Sequence, residues 1–499
     1  MAEATRGSVL AIIEESTEGT FAAVSGATDF IPLREGFTVE PNFETVANDE
    51  IKNSIGASKP VQGLESPTAS IPFYLHHSGV EGQAPVFGRL LKNCFGSVNS
   101  NATERTTTTG STTTIVELGA GGTDFARGRA VLLKDEVNGR SIRPVHSVSS
   151  NSLTLGFALA NAPATGVNCG KAVTYEPANN SHPSHTIHLF RGNIADIEAV
   201  AGARVTSLSL SATAGEPVEG NFELEGIKYF FNPITLAATD TKLDFTDQDG
   251  TFAATIPAGT YRDPHMLAQE IEIAMAAVSA RTPTVTYSDS TGKFTISITG
   301  ITLSLLFSTG GNAANSIHDK LGFTTADKTG ATTYTSENAQ SWAASVTPSF
   351  DTADMLVAKN MEVLLGDGTE SACYNLQSFS FTMNTPKTNV LKICAESGIG
   401  GSVIASREVT LEAVATYTKH DVDLFKRFRS NSNVRFCFNF GEKDDAADWI
   451  EGKAGSLYLP SNIIEAFSQT DTDGLVTTAF TLRAYVDNSG NDEVYLNFL

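Results

Sequence analysis

Leu376-Gln377-Ser378-Phe379-Ser380-Phe381-Thr382-Met383 puts Phe379, Phe381 and Met383 on one side and Ser378, Ser380 and Thr382 on the other. Period two is the pattern of a half-buried β-strand. From this strand to Leu499 the chain reads strand, strand, short charged helix, strand, strand, strand. Asp421 suits the cap of that helix, which carries Leu424, Phe425 and Phe428. No catalytic motif lies anywhere in this quarter. A β-unit without chemistry devotes its surface to contacts, and contacts with further copies of itself are the expectation.

The composition agrees with a mainly β chain. Its 499 residues hold 42 Gly and only 2 Trp against 29 Phe, which suits thin sandwich cores and many turns. The net charge is −22, a surface that repels nucleic acid and anionic membranes. Cys94, Cys169, Cys373, Cys394 and Cys437 are scattered, odd in number and without a CxxC spacing. They read as buried free thiols in a reducing compartment. The N-terminal stretch Met1–Arg6 leads into no signal-peptide pattern, and no apolar run is long enough to span a bilayer. These features predict a protein made and assembled in a cytoplasm, with no membrane anchor.

Upstream, Ser8–Ile13 reads as a strand and Asp29–Val39 as a second. Glu40–Gly63 is a long polar stretch with few core candidates, so it reads as a loop that is mobile or ordered by a neighbour. Strand Pro67–His76 precedes a helix over Pro85–Phe95, with Pro85 in its first turn, Gly96 past its end, and Val86, Leu90, Leu91 and Cys94 on one face. The threonine runs at 106–109 and 112–114 open a Gly-rich all-β insertion. Strands return at His185–Phe190, Arg204–Ser211 and Asn221–Phe231. A change of character near Asp240 leads to an α+β unit. Its helix is capped by Asp263, begins at Pro264 and carries the stripe Leu267, Ile271, Ala274, Met275 and Val278. Strands follow at Thr284–Ser288, Lys293–Ile301 and Ser304–Ser308, and the unit ends near Trp342.

The two flanking regions share an order of elements. Segments 28–39, 67–76, 85–95, 185–190, 202–211 and 219–231 are answered by 375–383, 408–418, 421–429, 433–440, 455–465 and 474–486. In both regions a turn with histidine, at His76-His77 and His420, precedes the short helix. This echo predicts two copies of one module, the first interrupted.

Several further segments carry a resemblance. They are Glu15-Ser16-Thr17-Glu18-Gly19-Thr20-Phe21, the polar loop before the first helix, Ala454–Pro460, Asp471–Leu475 and the turn Asp487–Gly490. In this order they resemble the major tail tube proteins of long-tailed, siphovirus-type bacteriophages, over roughly 1–99, 182–235 and 346–499. The resemblance implies tail-tube β-sandwich modules, each flanked by a short helix, whose sheets join those of neighbours into a shared β-barrel. It places a first module at 1–99 and 182–235, a small all-β insertion at 100–181, an α+β decoration domain at 236–345 and a second module at 346–499. It makes Glu40–Gly63 the inter-ring loop. It implies stacked rings that conduct the DNA genome to the host, in a virion tail assembled in the bacterial cytoplasm. Tape measure, tail tip and terminator proteins would be partners, and DNA would pass an acidic lumen without specific binding. Family tubes with one module per chain are hexameric, so two modules favour a homotrimer, with a hexamer as the alternative. A multidomain adhesin or receptor-binding tail fibre protein is the competing reading.

No catalytic, cofactor or metal residue is assigned, and no enzyme is expected. His182, His185 and His188 alternate faces on a strand and read as surface or turn side chains. Asp247–Gly250 and Asp471–Gly474 lack the remaining ligands of a calcium loop. In 236–345, Tyr261, Tyr287 and Trp342 are the few aromatics that could form a glycan platform, and plain decoration is favoured.

Overall fold

The computed structural model describes residues 7–52, 56–101, 103–192, 196–342, 346–350, 353–370, 373–417, 421–472, 474–487 and 490–499. Strands make up 48% and helix 9%. The first half contains β1 (Val9–Glu14), β2 (Thr38–Glu40), β3 (Phe43–Val46), β4 (Val61–Glu65), β5 (Thr68–Tyr74) and α1 (Gly88–Phe95). After a separate six-stranded sheet come β6 (His185–Arg191), β7 (Asp196–Thr213), β8 (Glu219–Glu225) and β9 (Lys228–Phe231).

One strand organises this half. β7 runs through 18 residues and serves two sheets. Its first part pairs with β6 and β9, and β1 adds beyond β6. Its second part pairs with β8, followed by β5 and then β2. The crossing is marked by a bulge between Val205 and Ser207, which re-aims the strand so that Val205 and Leu208 are both fully buried. The Phe73 and Phe222 rings stack between the sheets at 4.7 Å.

The second half repeats the scheme with β10 (Glu362–Gly366), β11 (Leu376–Asn384), β12 (Lys387–Leu391), β13 (Ile399–Ile404), β14 (Glu408–Thr416), α3 (Asp421–Ser430), β15 (Val434–Lys443), β16 (Trp449–Thr472), β17 (Leu475–Ala484) and β18 (Tyr495–Phe498). β16 is again long, pairing first with β15 and β18 and then with β17, which pairs with β14 and so with β11. β10 pairs with β15 as β1 does with β6. The bulge recurs between Ile464 and Ala466. Matching the bulges and pairings sets Val205 against Ile464, Leu224 against Leu482, Ala69 against Leu411 and Val39 against Phe381.

The halves then join. β7 pairs antiparallel with β11 from Ser207↔Asn384 to Thr213↔Ser378. The strands β2-β5-β8-β7-β11-β14-β17-β16 thus form one curled half-barrel. Its buried side includes Phe379, Phe381 and Met383, the three alternating residues of the strand 376–384.

The structure corrects several sequence expectations. Segment 40–63 is no structureless loop: it holds most of a hairpin of β3 and β4 with Phe43↔Glu65, Thr45↔Gln62 and Val46↔Val61 paired, the last a cross-strand pair of β-branched side chains. The strand expected over 29–39 is split into Phe30–Ile31 and β2, with Pro32, which has no backbone donor, between them. The partner of 202–211 in the repeat is 461–470 rather than 455–465, since the bulge fixes the register. Pro85 precedes α1, its carbonyl accepting from Gly88 N at 2.8 Å, so the helix starts later. Gly96 ends it at φ 90° as expected. The cap assigned to Asp421 and the turn histidine His420 lie outside the described side chains and residues.

A separate six-stranded sheet comprises Arg105–Thr106, Asn168–Cys169, Ala130–Lys134, Ser141–Ser149, Ser152–Leu155 and Ile115–Glu117. It has its own core, with Val116, Val131, Leu133 and Leu153 buried. It is fastened to the second half by Arg143–Glu362 at 2.9 Å and by Asn497 Oδ1 accepting from Ala130 N at 3.0 Å. Strand Ala172–Pro177, inside the span 100–181, pairs with β18 and with Gly96–Asn101 and so belongs to the main sheet.

The α+β unit also has a separate core. Its helix α2 (Pro264–Ala276) is capped as expected, with Asp263 Oδ1 accepting from Met266 N at 2.9 Å. Leu267, Ile271, Ala274 and Met275 are buried. Val278 lies past the helix end and is exposed, so it leaves the stripe. The strand expected over 293–301 stops at Ile298, and the one over 304–308 is Leu303–Leu305.

Candidate functional surface

Along the half-barrel, the residues between core positions point to the concave side. β7 contributes Ser207, Ser209, Ser211 and Thr213, and β11 contributes Ser378, Ser380, Thr382 and Asn384. β8 adds Glu219, Asn221, Glu223 and Glu225, and β14 adds Glu408, Thr410 and Glu412. A trough of 490 Å³ runs over this face, lined by Ser211, Ser380, Glu412 and Thr481 among others. The face is thus hydroxyl-rich and acidic. Its hydroxyls and amides bond one another, as in Ser207 Oγ to Asn384 Oδ1 at 2.9 Å and Ser70 Oγ to Glu223 Oε1 at 2.8 Å. Its cations are engaged: Arg34 pairs with Glu219 at 2.7 Å and Arg483 with Glu408 at 2.9 Å.

Two edges flank this face. Among the described residues, β2 is strand-paired only with β5, and residues 463–472 of β16 only with β17. An unpaired edge is a template for another strand. Two hairpins also stand out from the sheet. β3–β4 exposes Phe43, Val46 and Val61, and β12–β13 exposes Val390, Leu391 and Val403. They follow β2 and β11 in turn, so they are counterparts in the two halves. Sequence reading found the first through its polar composition. It missed the second because Lys387–Ile404 carries no period-two pattern to separate it from the strands around it.

The histidines are the sharpest correction. His182, His185 and His188 are all buried, not surface or turn side chains. His188 Nε2 donates to Ala22 O at 2.7 Å, and His182 sits between the carbonyls of Asn93 and Ala178. His185 Nδ1 accepts from Asn93 Nδ2 at 2.9 Å, and Asn93 Oδ1 takes Val205 N at 2.8 Å. They hold α1 and β6 onto the bulge of β7. Burial pushes His185 down to about 3 and His188 to about 4. Their folded values lie below the unfolded ~6.5, so the unfolded chain binds the extra protons as pH falls. The stability they confer is complete above pH ~6.5 and is lost on acidification, by about 2 kcal/mol at pH 5 for His185 alone. Melting of the full chain at pH 7.5 and pH 5 checks this; an unchanged midpoint would contradict it.

The remaining polar clusters are structural. Carboxylates of Glu81, Glu104 and Glu451 converge as a cation site would. Lys134 Nζ stands among them, 2.9 Å from Glu81 and 3.1 Å from Glu451. Asp247-Gln248-Asp249-Gly250 is a hairpin turn whose carboxylates bind Ser279 and Arg281. Asp471–Gly474 includes Asp473, outside the described residues. Cys94, Cys169 and Cys437 are buried thiols, each pushed up to about 12 by burial. Cys373 and Cys394 are exposed, against expectation, because both lie in loops beside strands rather than within them. Tyr261, Tyr287 and Trp342 are partly buried and pack against the core of their unit. Among the described residues no helix is long and apolar enough to cross a membrane.

Curated proteins offer no match to this chain. The family of phage tail tube proteins matches residues 5–261, more than half of the chain, from before β1 to the approach of α2. Sheet edges left open among the described residues and a polar concave face fit that family's role. The chain belongs to the phage tail tube protein family: it is a structural protein of the virion tail that self-assembles into a tube, and it is not an enzyme.

Proposed function

We propose that the chain carries two tail-tube modules and that three copies, each supplying the eight strands of its half-barrel, close a ring. The observation that carries this is the repeated pairing scheme, bulge included, joined within the chain through β7 and β11. One chain then does the work of two subunits of a hexameric ring, and closure leaves no sheet edge exposed. The first module spans 1–99 and 182–235 together with strand Ala172–Pro177, and the second 346–499. The inserted sheet attaches to β10 and β18, and the α+β unit follows β9; all three strands belong to the sheet away from the concave face. This supports reading the separate sheet within 100–181, without strand Ala172–Pro177, and the unit 236–345 as decorations on the outside of a siphovirus-type tube.

In this reading the concave face lines the lumen. Glutamates there repel phosphate over a range of about 8–10 Å at physiological salt, so DNA slides without adhering. Stacked rings would meet the tape measure protein inside, and the tip and terminator proteins at the ends. Assembly would take place in the host bacterial cytoplasm.

Electron microscopy of tubes in cross-section tests the stoichiometry. Threefold symmetry with three chains per ring is expected; six chains per ring would refute the two-module reading. Lumen charge gives a second test. Glu223→Lys with Glu412→Lys changes exposed residues, so folding stability should move by no more than about 0.5 kcal/mol each. Genome release should slow and DNA should be retained by the tubes, measured as release from triggered virions. Unchanged release would remove these residues from the lumen.

A further inference from the structure

We infer that one copy meets the next in the register the chain already uses within itself. β16 of one copy pairs antiparallel with β2 of its neighbour, Ser468 opposite Glu40 and Thr470 opposite Thr38. This rests on the ring reading above and refines it from a shape to named residues.

The internal joint supplies the template. There Ser209 of β7 lies opposite Thr382 of β11. The common bulge, after Val205 in one half and after Ile464 in the other, makes Ser468 the counterpart of Ser209. The pairings Val39↔Ala69 and Phe381↔Leu411 make Glu40 the counterpart of Thr382. Both strands are unpaired on the required side among the described residues. Each strand's faces are already fixed by its partner in its own chain, so a slip of one residue would set core-facing residues of β16 opposite lumen-facing residues of β2, and the register is strongly specified.

A second observation points to the same contact. A cavity of 760 Å³ opens beside β2, lined by Val9, Phe37, Tyr74 and Arg34 among others. At the internal joint the corresponding place, beside Val363 and Phe379, retains only 130 Å³ and is lined by Ala212 and Ala214 from the end of β7. The large cavity is therefore the same seat without its occupant. The counterpart of Ala212 is Asp471, whose carboxylate would arrive beside the Arg34 guanidinium and share it with Glu219. The apolar side of the neighbour also awaits cover. Leu208 is fully buried, whereas its counterpart Phe467 is only half-buried under an exposed Phe425.

Paired cysteines test the register. Directly opposite residues of antiparallel strands bring Cβ atoms within disulfide reach. Full-length chains carrying Glu40→Cys with Ser468→Cys, or Thr38→Cys with Thr470→Cys, should convert on oxidation from monomers to covalent oligomers on a non-reducing gel, reversed by reductant. The slipped pair Val39→Cys with Ser468→Cys should stay monomeric, as should each single variant, which also controls for Cys373 and Cys394. Two pairs guard against one variant failing to fold. If wild-type chains form rings by electron microscopy but neither in-register pair cross-links, or the slipped pair does, the register is wrong and the ring reading stands. If wild-type chains form no rings, the ring reading fails and this joint with it.

Discussion

Replacing residues 44–62 by a two-residue Asn-Gly turn is expected to leave a folded monomer that builds no tubes. The excised part holds the paired core of the hairpin, Thr45↔Gln62 and Val46↔Val61. Val46, Val61 and Ile51 are all exposed, Ile51 by 95%. A two-stranded hairpin standing alone is marginal in water, and one with aliphatic side chains outward needs a partner to cover them. No described residue of 44–62 belongs to the main core, so monomer stability should change by no more than about 1 kcal/mol. The ends are kept because Glu65 is buried and accepts from Tyr229 N at 2.6 Å. The counterpart hairpin β12–β13 shows what such an element does when it has a neighbour: Ser397 O accepts from Glu65 N at 3.3 Å, and Asn389 Nδ2 donates to Glu225 at 3.2 Å. Negative-stain microscopy of the variant decides the matter, and tubes of normal length would show that the hairpin has no part in assembly.

Phe381→Ala should be among the most damaging single substitutions in the chain. The ring is fully buried, and its strand position is opposite Leu210 on one side and Leu411 on the other. It therefore sits at the seam between the halves, where the first and second halves share one sheet. Phe→Ala at a buried site costs about 3–5 kcal/mol, the transfer of the ring plus the cavity left behind. Urea unfolding of the purified chain should show that loss, with the denaturation midpoint lowered. A shift below about 1 kcal/mol would mean the seam closes without this ring and that the halves are held elsewhere.

Much of the architecture was legible because it is local. Phe379, Phe381 and Met383 alternate, and the strand they predict is there with those three side chains inside. Asp263 and Pro264 start α2 as their chemistry requires, and Gly96 ends α1 with positive φ. The echo between the halves was visible as an order of elements. Its register was not: the counterpart of 202–211 was placed about six residues early, because a bulge is defined by two residues facing one across a sheet, and no single strand announces it. The histidines failed for a related reason. Their spacing says which way side chains alternate, but not that both sides of β6 are covered, one by α1 and the sheet behind it and the other by the chain around Phe21 and Ala22.

The concave surface could not be assigned from sequence at all. Ser211, Ser380 and Glu412 are far apart in the chain and meet only because β7, β11 and β14 are neighbours. Sequence alone determined the class of strands and helices, the repeat of their order, the lack of a catalytic motif and the family. Each of these is written in residues a few positions apart, where side-chain periodicity and capping act. The tertiary structure decided which strands pair, where each long strand crosses between sheets, which edges remain open and which carboxylates share a face. Those follow from contacts such as Leu210 with Phe381, made across long stretches of chain, where burial of the shared core selects one pairing among the many that alternation permits.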